Sequence, residues 1–197
     1  DPITASRTGA DSSICGDCPH QGKPNNKTKG WATDRTCYVN LLFAPNGVYK
    51  AYKKGVYSYA RGHDNIRAIG LLRGVRLGSY GDPMAVPQFI WESLCSGAEY
   101  VTAYTHQSNT MPELVMTSAD SKEQAQQAWE RGERTFRVVG SADSLTPNEV
   151  LCPASKEAGE RVQCAQCKLC GGNSKQAKSV AIVAHGASKA KAKALVG

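Results

Sequence analysis

No stretch of this chain is apolar for long enough to cross a bilayer. Its uncharged runs fall well short of the roughly 18 consecutive apolar residues a spanning helix needs. None pairs a basic start with an apolar core in the manner of a signal peptide. Phenylalanine is scarce, at 3 of 197 residues, yet 41% of the chain is hydrophobic. Glycine follows no fixed three-residue repeat. A membrane protein, a collagen-like chain and a wholly disordered chain are thereby excluded. The length suits one domain whose core is stable without covalent staples. The first residue is Asp1 rather than Met, which predicts a further segment ahead of it.

What the chain does have is charge of one sign in one half. Residues 1–80 hold 12 Lys+Arg against 5 Asp+Glu, while residues 81–197 hold 12 of each, so the formal charge of +7 belongs to the first 80. A basic half favours an anionic partner such as a nucleic acid, nucleotide or phosphate. Tyr49, Tyr52, Tyr57 and Tyr59 lie among these basic residues and could stack on bases. At helical spacing, however, such tyrosines more often belong to a core or its boundary.

Hydrophobic periodicity predicts an α/β chain. Residues 1–30 read as polar loop, with Gly22 to Gly30 an exposed insertion. Val39 to Tyr59 has helical spacing that Gly55 interrupts. Short strands and helices then alternate. Strands are expected at Val75–Leu77, Tyr100–Tyr104, Leu114–Thr117, Thr135–Val139, Glu149–Leu151 and Val180–Ala184. Helices are expected at Val86–Ser96, at Ser121–Arg131 and in the Lys189, Lys191, Lys193 tail. Repeated β-α units predict a parallel sheet covered by helices, in the form of a partial parallel β/α barrel. A complete eight-unit barrel normally needs about 250 residues. Such a fold brings Asp82, His106, Asp120, Cys152 and His185 to the C-terminal strand ends, where active sites form. The expected organisation is one domain: a metal-binding region at 1–38, a β/α core at 39–151, a cysteine cluster at 152–172, and a last strand with a basic helix at 173–197.

Seven of the eight cysteines fall into two groups. Cys164, Cys167 and Cys170 follow one another at C-x2-C-x2-C spacing, with Cys152 ahead of them. Thiolates so spaced turn toward one centre, and four of them satisfy a [4Fe-4S] cluster or a zinc ion. Two consecutive CxxC steps favour iron–sulfur, with zinc as the alternative. A disulfide framework is not needed at this length. His185 could replace one cysteine on zinc, or make an ordinary hydrogen bond at its strand end. Cys15, Cys18 and Cys37 form the second group, one ligand short of a closed site. His20 could complete a Cys3His zinc site, or the position stays open, as catalysis requires. Cys95, alone on an apolar helix, reads as a core thiol. Asp120 reads as the cap of the helix after it. Asp82 reads equally as a ligand-binding carboxylate or as a turn residue before Pro83.

The combination CGDCPH, CYVN, VRLGSYGDP, YTHQ, CPAS, CAQCKLCGG and IVAHG resembles a family of short phage and prophage proteins of uncharacterised activity. That resemblance covers most of the chain and implies a place in the host cell's cytoplasm. The strand order also looks like the radical S-adenosylmethionine (SAM) fold. This second resemblance implies a [4Fe-4S] cluster on Cys15, Cys18 and Cys37, with an open iron for S-adenosylmethionine. It implies that Gly78, Gly81 and Asp82 hold the cofactor's methionine end, Asp82 accepting from its ammonium group. His106 would face the substrate, and Cys152, Cys164, Cys167 and Cys170 would hold an auxiliary cluster. The C-x2-C-x18-C spacing departs from the usual CxxxCxxC, although a wide third interval resembles the atypical carbon–phosphorus lyase. A third resemblance, to the guanine transglycosylases, implies a zinc site on Cys164, Cys167, Cys170 and His185 and a nucleophile at Asp82 or Asp120. Three readings follow. They are a radical-SAM-like iron–sulfur enzyme acting on a nucleotide or nucleic acid, a zinc-stabilised nucleic-acid-binding protein, and a zinc-containing base-exchange enzyme.

Overall fold

The computed structural model describes residues 1–25, 27, 30–160, 162–186 and 189–196. Asn26, Thr28 and Lys29 of the expected insertion lie outside the described residues. The chain forms α1 (Pro2–Thr8), α2 (Ser12–Cys15), α3 (Ala44–Lys53), α4 (His63–Gly70), β1 (Gly74–Arg76), α5 (Gln88–Cys95), β2 (Tyr100–Thr102), β3 (Tyr104–Thr105), β4 (Met116–Ala119) and α6 (Lys122–Glu130). Then follow β5 (Thr135–Val139), β6 (Glu149–Leu151), α7 (Cys164–Cys167), β7 (Ser179–Val183) and α8 (Lys189–Val196).

All strand pairings are parallel, as the β-α rhythm predicts. β1 pairs with β2, and a five-stranded sheet runs β3-β4-β5-β7-β6. The expected single strand Tyr100–Tyr104 is divided at Ala103, so the chain leaves β1 at β2 and joins β4 at β3. No closed barrel forms among the described residues. Sequential barrel order also breaks at the far end, where β7 lies between β5 and β6.

Side chains along a strand alternate between two faces. On β5, Thr135, Arg137 and Val139 are buried on one face, while Phe136 and Val138 point the other way. α6 packs on β4 and β5, and its Trp129 ring N–H reaches Thr135 Oγ1 at 3.1 Å and Ser179 Oγ at 2.9 Å. Ser121 caps this helix by accepting from Gln124 N–H. α5 covers the other end of the strands, where Trp91, Leu94 and Cys95 pack against Leu77, Val101, Ala103, Met111 and Val115. That places Cys95 in the core, as its sequence setting predicts.

An ion pair lies inside this packing. Arg137 donates from Nε to Glu149 Oε1 at 2.7 Å and from a terminal nitrogen to Oε2 at 2.6 Å. Ser144 O and the Thr146 N–H and hydroxyl engage the remaining groups. The pair ties β5 to β6 across the intervening β7. Burial of a charge is tolerated here because both carboxylate oxygens and two of the three guanidinium nitrogens are hydrogen-bonded.

The N-terminal third differs most from expectation. The polar stretch read as loop contains α1, whose Asp1 cap accepts from Thr4 N–H, and the short α2. The long helix expected over Val39–Tyr59 is shorter, at Ala44–Lys53, starting where Pro45 suits a first turn. α4 forms in a stretch where no element is expected. α3 buries none of its residues, and Tyr52, Tyr57 and Tyr59 are exposed rather than core.

The Arg137–Glu149 pair makes a direct prediction. Glu149→Gln leaves Arg137 buried without its countercharge and should cost about 3–5 kcal/mol in urea unfolding. Burial pushes the Glu149 carboxyl up, but the Arg137 and Thr146 hydrogen bonds outweigh it and hold it below its ordinary range. Its contribution is therefore present above the unfolded carboxyl's pKa and is lost as pH falls. The stability gap between wild type and Glu149→Gln should narrow on acidification.

Candidate functional site

The face of the sheet opposite α5 and α6 is where the sequence's chemistry collects. Thr102, Tyr104 and His106, then Ser118 and Asp120, then Phe136 and Val138, then Val180, Ile182 and Ala184, line one cavity of about 410 Å³. Within each set the spacing is two residues, the signature of one strand face. Both cysteine groups also line it: Cys15, Cys18 and Cys37 of the first, and Cys152, Cys164, Cys167 and Cys170 of the second.

The N-terminal group is held by hydrogen bonds rather than by a core of its own. Asp82 N–H donates to Ile14 O at 2.6 Å, and the Gln107 amide donates to Cys15 O at 3.2 Å. Cys37 N–H donates to His20 O at 2.9 Å, which draws the distant third cysteine back to the first two. Gly78 and Gly81 shape the turn that meets this segment, with φ of +61° and +97°. A Cβ on Gly81 would lie 3.0 Å from Ile14 O, so close approach as well as conformation calls for glycine there.

Asp82 is buried and its carboxylate is engaged. Oδ1 accepts from Met84 N–H at 2.9 Å and from the Thr105 hydroxyl at 2.7 Å, and Oδ2 accepts from His106 N–H at 2.9 Å. It thus caps the turn at Pro83–Ala85 and fixes the end of β3 while lining the cavity.

In the second group Cys152 follows β6, and its own N–H donates to Ala181 O at 2.7 Å. The Ser155 N–H donates to the Cys152 carbonyl oxygen at 2.9 Å, closing the turn that follows. Tyr104 and Cys170 pack side by side against Met116, Cys152 and Val180. Cys164 is exposed at the rim. Burial pushes the Cys170 thiol up to about 11. Burial, then the Asp11 charge and the neighbouring thiols, push Cys15 up to about 12. Burial also raises Cys37 and Cys152. These thiols stay protonated at neutral pH until a cation displaces their protons, so metal affinity should rise with pH.

A third cluster joins the walls. His20 Nε2 is 2.9 Å from Asp120 Oδ1, and His106 Nε2 is 3.5 Å from Asp120 Oδ2. His20 Nδ1 meets Thr36 Oγ1 at 2.7 Å, and His106 Nδ1 meets Cys18 Sγ at 3.5 Å. The ordinary cap expected of Asp120 is supplied instead by Ser121, which frees the Asp120 carboxylate for the two imidazoles. Neither His20 ring nitrogen is bonded to a thiol, and the imidazole that touches the first cysteine group is His106. Burial opposes a charge on His106, but its bonds to Asp120 and Cys18 prevail and push it up to about 10. Asp120 is raised by burial, yet its two histidine partners outweigh this and hold it well below the usual carboxylate range. His185 makes the ordinary bond, Nδ1 to Val183 O at 3.0 Å. Sequence spacing carried no sign of the Thr36–His20–Asp120–His106–Cys18 chain, whose members are up to about a hundred positions apart. The one local signal is that His106 and Asp120 each follow a strand.

No family model, curated protein or solved structure matches this chain. The geometry therefore carries the functional reading by itself.

Asp82 allows a test that is independent of any cofactor. Asp82→Asn places an NH2 against a donor and should lower the metal-free protein's stability by about 1–3 kcal/mol, read by thermal or urea unfolding. An unchanged midpoint would mean that these three hydrogen bonds do not hold the β3 end.

Proposed function

We propose that the chain is an iron–sulfur protein, and specifically a radical-SAM-like enzyme that modifies a nucleotide or nucleic acid in a phage setting. The observation that carries this is the opening of both cysteine groups onto one cavity on the inner face of a parallel sheet. The residues suit such a group. Four thiols stand in one group and three in the other, the latter leaving a position open. Backbone N–H groups just after Cys152 favour its thiolate, against the burial that opposes it. Tetrahedral zinc, with Zn–S near 2.3 Å, brings its sulfurs to about 3.8 Å from one another. Among the described residues no three thiols come within 4.8 Å of one another, so neither cysteine group is drawn in as closely as a single zinc ion requires.

Cys15, Cys18 and Cys37 would hold the cluster that takes the cofactor, and Cys152, Cys164, Cys167 and Cys170 the second. Such a cluster supplies the electron that reductively cleaves S-adenosylmethionine. The chain's own residues provide the rest. Phe136, Val138, Val180 and Ile182 form an apolar wall that keeps water from the cavity. Arg76, hydrogen-bonded to the Tyr38 hydroxyl, and Lys168, ion-paired with Glu99 at 2.6 Å, line it as cations that a carboxylate or phosphate would have to draw from those partners. Asp82 holds Thr105 and the His106 backbone in place, with one lone pair left for a ligand's donor. Its engagement, and that of Asp120 with two histidines, gives less support to a carboxylate nucleophile for base exchange. The half-barrel reading rests on the alternating residues that face the cavity and on sequential strand order as far as β5.

Protein purified without oxygen should contain iron and acid-labile sulfide, absorb broadly in the blue, and release 5′-deoxyadenosine from S-adenosylmethionine under reductant. A colourless protein with stoichiometric zinc, unchanged after attempted cluster reconstitution, overturns the proposal and leaves a zinc-stabilised binding protein.

The nucleic-acid part of the proposal draws on a separate surface. Lys50, Lys53 and Lys54 are exposed beside the exposed rings of Tyr52, Tyr57 and Tyr59. Stacking on these rings with phosphate neutralisation by the lysines is the chemistry of single-strand binding. Replacing the three lysines by alanine should reduce the steepness of the log K against log salt plot by about 2. An unchanged slope in a filter-binding or anisotropy titration would place the anionic partner elsewhere.

A further inference from the structure

Beyond the cysteines, the cavity wall holds a set of ligands with different chemistry. We propose that His20, Asp120 and His106 form a separate site for one divalent first-row transition-metal ion, of the two-histidine, one-carboxylate kind.

The donors come from three parts of the chain. His20 belongs to the loop after Cys18, His106 follows β3, and Asp120 follows β4. Their ligand atoms all lie within 4.8 Å of one another, so one ion can reach all three. Both imidazoles offer Nε2 to the same carboxylate, one at 2.9 Å and the other at 3.5 Å. The longer distance is at the limit for a hydrogen bond, so His106 is poorly placed if its role is only to bond Asp120.

The outer nitrogens supply a second, independent feature. A histidine bound to metal through one nitrogen is almost always held through the other by a fixed partner. His20 Nδ1 has Thr36 Oγ1 at 2.7 Å, and His106 Nδ1 has Cys18 Sγ at 3.5 Å. Both rings are thereby oriented with Nε2 inward. His20, His106 and Asp120 are mostly buried, with side-chain exposures of 11%, 22% and 12%. All three line the cavity, so the fourth position faces the space where a substrate would lie. Two imidazole nitrogens and one carboxylate suit Zn²⁺, Fe²⁺ or Co²⁺, and an open fourth position is the arrangement of catalytic rather than structural sites. The site needs none of the seven cysteines as a ligand, so it stands or falls apart from the iron–sulfur proposal.

Cobalt(II) tests the assignment, because its spectrum separates thiolate from nitrogen and oxygen ligands. The full chain, chelator-treated without oxygen, is titrated with Co²⁺. One equivalent should bind with visible ligand-field absorption but without added near-ultraviolet thiolate charge transfer. Proton NMR of that sample should show two hyperfine-shifted, solvent-exchangeable imidazole N–H signals, one from each ring. His20→Ala and His106→Ala should each remove one signal, and these variants and Asp120→Asn should weaken binding at least tenfold. Cobalt uptake accompanied throughout by thiolate charge transfer, with no shifted imidazole protons, overturns the site. So does uptake unchanged in all three variants. The wild-type NMR result decides the matter by itself should a variant fail to fold. Iron and sulfide content, which tests the other proposal, is measured on separate samples and does not enter this outcome.

Discussion

The structure depends on one constraint: each strand has two faces, and α5 and α6 cover only one of them. α5 and α6 pack on the outer face, where Leu77, Val101, Ala103, Ala125 and Ala128 are buried. The inner face carries Tyr104, Phe136, Val138, Val180 and Ile182, which are apolar and would otherwise meet water. The two cysteine segments cover that face. They contain little regular structure and few buried apolar residues, so bonds to the sheet edge keep them there.

Those bonds concentrate at the ends of β3 and β4. Asp82 secures the β3 end through Thr105 and His106, and the same loop's backbone reaches the N-terminal segment through Ile14. Asp120, just past β4, reaches back to His20 in that same segment. The carboxylates that give the cavity its polar character therefore also hold its lid in place. Loss of either would loosen the cysteine segment as well as change the chemistry. Stability and activity have to be measured separately in every variant of these residues.

Electrostatics divides the cavity in two. Burial holds the thiols of both groups toward the protonated form, while the Asp120–His106 contact favours the charged form of both partners. A basic, aromatic surface on and beyond α3 lies outside the cavity, on a helix that touches α1 but has no fully buried residue. Keeping so many tyrosines and aliphatics in solvent is costly unless they meet a partner.

Much of the core was legible in the residues alone. Thr135–Val139 and Glu149–Leu151 show their strands directly, and Ser121 with Gly132 marks both ends of α6, because these signals are local and periodic. The grouping of the cysteines was legible for the same reason, as CxxC spacing is a short-range property. Low apolar content hid α1, and an unbroken run of strand-forming residues concealed the division at Ala103. Only tertiary structure decided that β7 enters between β5 and β6, that both cysteine groups share one cavity, and that Asp120 serves two histidines instead of its helix. Those outcomes depend on contacts between segments far apart in the chain, and side-chain spacing along the sequence contains no record of which strand ends will meet.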